Sequence, residues 1–94
     1  MKLTAAQIEQ VRDQIEAERV LEESPLFAEI VGEFGDHTFY LDLDGLYVLE
    51  LVEDPKTACQ VANVVKMATW TDEERTELRP HWAEPTSVFV KLGP

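Results

Sequence analysis

The chain has 94 residues, 45% hydrophobic and 29% charged, with a net charge of −11. That length suits one globular domain over residues 1–94, with a core that needs neither metal nor disulfide staples. A single cysteine excludes an internal disulfide and favours a reducing, cytoplasmic setting, and the acidic field disfavours direct binding to nucleic acid or an anionic membrane.

The charge is uneven. Residues 1–34 hold eight acids and three bases, residues 35–54 hold six acids and no base, and residues 55–94 hold five of each. The first ten residues, MKLTAAQIEQ, contain no long apolar run, which argues against a signal peptide, and no stretch approaches the length of a membrane span.

Residues 4–23 predict a helix. Thr4 with Gln7 three positions later is a capping box. Ile8, Val11 and Ile15 form one narrow stripe, whereas Val20 and Leu21 fall on the other side of the wheel, so the helix is expected to bend, stop near residue 18, or change neighbours at its end. Ser24 and Pro25 restart the chain as N-cap and first helical residue. Leu26, Phe27, Ile30, Val31 and Phe34 follow helical spacing, with Gly35 placed to terminate. A strand over residues 28–34 is the competing reading.

The stretch TFYLDLDGLYVLELV, residues 38–52, predicts a β-hairpin closed by Asp44 and Gly45, a dipeptide suited to a type I′ turn. In that register Leu43 pairs with Leu46, Leu41 with Val48 and Tyr40 with Leu49. One face then carries Phe39, Leu41, Leu43, Leu46 and Val48 and is expected to be core. The other carries Thr38, Tyr40, Asp42, Tyr47, Leu49 and Leu51. This second face is too apolar for bare solvent and calls for cover, from the chain itself or from another molecule.

Residues 53–56 read as a loop. Residues 58–70 satisfy helical spacing, but their β-branched valines favour a strand from about residue 61 to 70. Thr71 and Glu74 form a second capping box, predicting a short helix over residues 72–78 ended by Pro80, then a loop over residues 81–85 and a last strand over residues 88–92. The architecture expected is α+β: a small two-layer domain, its N-terminal helices packed on an antiparallel sheet of about four strands, with a short helix before the last strand.

No motif carries chemistry. Asp42, Asp44, Gly45 and Glu50 faintly resemble a calcium loop, but the spacing to the glutamate is one short and a hairpin turn explains them. His37, His81 and Cys59 lack metal-ligand spacing, and Ser87 with His81 has no nucleophile elbow. The pentapeptide WTDEE at residues 70–74 resembles the opening of a Myb or SANT helix, but the likeness stops there and the net charge is wrong for DNA. No cofactor or metal is implied, and a non-enzymatic protein is expected. Tyr40, Tyr47, Leu49, Leu51 and Trp82 are the candidate contact residues, because tyrosine and tryptophan are enriched at contact hot spots. The competing reading of Trp82 is a lid folded over the sheet edge. The expected function is a protein-interaction module that self-associates through the second sheet face as a homo-oligomer. The alternatives are an acidic adaptor or inhibitor that binds a basic protein through residues 36–54, and a small-ligand-binding domain.

Overall fold

The computed structural model describes residues 1–52 and 60–92. In chain order the elements are α1 (Ala5–Arg12), β1 (Glu18–Arg19), α2 (Pro25–Phe34), β2 (Tyr40–Leu41), β3 (Gly45–Val52), β4 (Gln60–Trp70) and β5 (Leu78–Leu92). The five strands form one antiparallel sheet in the order β1-β2-β3-β4-β5. The α+β class is as expected. The sheet has five strands rather than about four, and the short helix expected before the last strand is a turn.

Both helix starts follow the sequence signals. Thr4 accepts from the Gln7 amide at 3.2 Å while the Gln7 side chain accepts from the Thr4 amide at 2.9 Å. Ser24 caps α2 by accepting from the Leu26 amide at 3.3 Å, Pro25 opens the helix, and Gly35 closes it at φ 91°.

The first helix is far shorter than the expected residues 4–23, and the core explains why. Val11 is buried with Ile8 and Ile15 packed beside it, on one side of the sheet with Tyr40, Tyr47 and Leu49. Val20 is buried on the opposite side with Ile30, Phe39, Leu46 and Val48. A straight helix cannot deliver Ile15 to one face and Val20 to the other. The chain leaves α1 after Arg12, passes the sheet edge through the two-residue strand β1, and enters α2 on the far face. The helices therefore sit on opposite faces, giving three layers where two were expected.

The hairpin turn is also displaced. Tyr40 pairs with Tyr47 and Leu41 with Leu46, two positions away from the predicted register. The Asp42 amide donates to the Gly45 carbonyl at 3.1 Å, so Leu43 and Asp44 are the central residues. The Asp42 carboxylate accepts from the amides of Asp44 (2.8 Å) and Gly45 (3.1 Å), an Asx turn that displaces the type I′ geometry. Among the described residues Gly35 is the only glycine with positive φ. Gly45 is needed for a different reason: a Cβ there would lie 2.0 Å from the Ala68 carbonyl oxygen. Because the slip is even, the paired side chains keep their predicted faces, but Leu43, expected in the core, now sits in the turn and is largely exposed.

The strand predicted at about residues 61–70 is present as Gln60–Trp70. At the expected short helix, Thr71 donates its amide to the Glu77 carbonyl at 2.9 Å, and the Asp72 carboxylate accepts from the Thr76 amide at 2.9 Å. These bonds close a turn instead of opening a helix. The expected loop at residues 81–85 belongs to β5. Four positions of β5 span two of β4 between Phe89 and Pro85, and again between Glu84 and Pro80. Both prolines sit at the borders of these bulges on an edge strand, where a missing amide proton costs least.

Candidate functional site

Of the five residues singled out from the sequence, three are brought together, but in the interior. Tyr40, Tyr47 and Leu49 are buried at 3%, 8% and 0% exposure, in the cluster that α1 covers. The cover that their face required is supplied from within the chain, so these three do not present the contact surface expected of them. Leu51, farther along the same face, is half exposed. Trp82 is 93% exposed in the outer bulge of β5, so it is not a lid over the sheet edge.

The two tyrosines are cross-strand neighbours in a low-dielectric setting. The Tyr47 hydroxyl is pushed up to about 12, first by burial, then by the charge of Asp42 and a hydrogen bond to that carboxylate. Burial also raises Tyr40, opposed by the Arg19 guanidinium. The Tyr40 hydroxyl is fully buried without a hydrogen-bond partner among the described residues. Tyr40 lines a cleft of about 380 Å³ between α1 and β1, walled by Ile8, Ile15 and Ala17 and rimmed by both signs of charge.

The polar candidates have structural partners. His37 receives the Met1 amino group at 2.7 Å, and both groups are held below their ordinary pKa values, chiefly by burial. His81 contacts the Thr69 hydroxyl at 3.0 Å through Nε2 and the Trp82 carbonyl at 2.8 Å through Nδ1. Asp42 serves the turn and Tyr47, while Asp36 pairs with Lys2 at 3.1 Å. Cys59 and the loop predicted at residues 53–56 lie outside the described residues. No group of three potential ligand side chains forms a metal site among the described residues, and no helix there is long and apolar enough to cross a membrane.

Sequence reasoning missed the residues that are exposed and apolar at the far end of the sheet. Glu50, Asn63 and Phe89 form one cross-strand row on the α2 face; Val52, Val61 and Lys91 form the next. Phe89 is 54% exposed and Val52 is 41% exposed, because α2 covers only the other end of that face. Asn63 is pinned beneath by two bonds from its Nδ2, to the Thr86 and Val88 carbonyls at 2.8 and 3.1 Å. The only hint in the sequence is the hydrophobic Phe89 at a position alternating with the core residue Val90.

At the free margin of β5 the Gln14 side chain stands in for a sixth strand. Its Nε2 donates to the Lys91 carbonyl at 2.8 Å and its Oε1 accepts from the Lys91 amide at 2.7 Å. This two-point clip blocks edge pairing where β5 is most regular.

Comparisons with protein-family models, with curated proteins and with solved structures find no match.

Proposed function

We propose that this chain is a non-enzymatic interaction module that self-associates through the open end of its sheet on the α2 face. The observation that supports this reading is the pair of exposed apolar residues, Val52 and Phe89, bracketed at opposite corners by Glu50 and Lys91. The arrangement is self-complementary. A two-fold axis along the Val52 to Phe89 diagonal lays each of these on its own copy and brings Glu50 over Lys91 of the second molecule, crossing the two sheets at a steep angle. The Gln14 clip disfavours the alternative of pairing edge to edge.

Sedimentation velocity over a range up to high micromolar concentration tests the reading. The wild-type chain should show a concentration-dependent dimer, and Phe89→Asp should be monomeric with an unchanged melting temperature. Glu50→Lys and Lys91→Glu should each weaken the dimer, and the two together should restore it. A wild-type chain that stays monomeric throughout removes the proposal.

A second reading, an acidic adaptor for a basic protein, is favoured by the hairpin tip. There Asp42 joins Glu16 and Glu18 around a cleft of about 420 Å³ bordered by Leu43, which is 71% exposed, and Asp44 follows in the turn. Such binding should weaken steeply with salt.

A further inference from the structure

A groove runs between α2 and the 71–77 turn, on the face of the sheet opposite α1. Its volume is about 320 Å³, at the small end for ligand pockets. The floor is apolar: Ile30, Phe34, Trp70 and Leu78 line it. Its rim is acidic: Glu29 and Glu33, one turn apart on α2, face Glu77 across the opening, and no basic residue among those described lines it.

The floor and the wall facing α2 are fastened. The Trp70 indole donates to the Asp42 carbonyl at 2.9 Å, which holds the floor. The opposite wall is tied by Thr71 to the Glu77 carbonyl, through its amide at 2.9 Å and its hydroxyl at 3.2 Å, and by Asp72 to Thr76. A groove held open by its own hydrogen bonds loses little conformational freedom on binding.

We propose that this groove docks a segment of a partner protein that presents a lysine or arginine beside an aliphatic side chain. The apolar floor takes the aliphatic group and the stem of the basic residue, and the three carboxylates receive the charged head. A neutral apolar segment would leave three carboxylates facing it without compensation. An acidic segment would be repelled by the rim and by the chain's net charge of −11. The proposal is independent of self-association, because no groove residue belongs to the Val52 and Phe89 patch.

The test uses three short blocked peptides with the ¹⁵N-labelled full chain: alternating leucine and lysine, alternating leucine and glutamate, and alternating serine and lysine. The indole N–H resonance of Trp70 reports the groove, and that of Trp82 is the internal control. The leucine–lysine peptide should shift Trp70 saturably and leave Trp82 unmoved. The glutamate peptide should not bind, and the serine peptide should bind at least about tenfold more weakly. Glu29→Gln, Glu33→Gln and Glu77→Gln together should weaken the leucine–lysine peptide by about tenfold, since all three are exposed and leave the fold intact. The proposal is overturned if Trp70 does not respond, if serine replaces leucine without loss, or if the shifts fall on Leu43 and Asp44, which would assign basic partners to the hairpin tip.

Discussion

At the scale of single residues, several side chains hold positions that their neighbours dictate. Gly45 is the sharpest case, since the Ala68 carbonyl occupies the space a Cβ would need. Gly45→Ala should therefore cost about 2–3 kcal/mol or more in chemical denaturation, although no positive φ is involved. Tyr47 is held neutral by burial and by Asp42. The folded chain keeps this proton where the unfolded chain loses it, so stability is full below the ordinary value of 10 and declines as pH rises from there towards about 12. Asp42→Asn keeps a side-chain acceptor and removes the charge. An alkaline absorbance titration should then show the Tyr47 transition moving down but remaining above the ordinary value, because burial is its first cause. His37 works in the opposite direction. Its proton is disfavoured in the folded chain by burial and by the adjacent Met1 amino group, so stability is full above about 6.5 and falls as pH drops below it. His37→Asn should flatten that acid limb in denaturation measured at several pH values.

At the scale of elements, the contrast between the two helices is instructive. α2 was readable because start, period and stop agree and its whole stripe faces one cluster. α1 was over-extended because periodicity does not record which face of a sheet a residue will meet. Val20 belongs to the α2 side although it follows the α1 stripe by only five positions. β5 was under-extended because its prolines read as loop, whereas bulges let an edge strand accept them. The Gln14 clip is an element-scale device that joins α1 to β5 and covers the edge of the sheet. Gln14→Ala should cost about 1–2 kcal/mol, since both Lys91 edge groups lose a partner. Hydrogen exchange at the Lys91 amide should quicken, and edge-to-edge aggregation should rise.

At the scale of the whole molecule, the sheet separates two clusters, each roofed by one helix. The second face, which the sequence marks as a docking surface, is interior. Tyr47→Lys should therefore unfold the chain, costing about 3 kcal/mol or more, instead of merely dissociating a dimer. Phe89→Asp should do the reverse. Measuring both by sedimentation and thermal melting separates core from contact surface in one experiment. The molecule measures 41 × 26 × 22 Å, long in one direction. The Val52 and Phe89 patch and the α2 groove are built from different residues, so occupation of one leaves the other available.

Alternation alone decided which side chains of the hairpin share a face, and this survived the displaced turn because a slip of two residues preserves parity. Capping chemistry followed by an apolar helical stripe marked where both helices begin, because a cap is satisfied within four residues of chain; at Thr71 and Glu74, where no such stripe follows, the same signal closes a turn. What covers each face was settled only in three dimensions. A stripe such as Ile8, Val11 and Ile15 states that it must be buried but does not name the side of the sheet, and that choice depends on where the chain crosses the edge between residues 13 and 19. The same holds for Phe89: its exposure follows from the distance that α2 reaches along the sheet, a property of packing that no local pattern encodes.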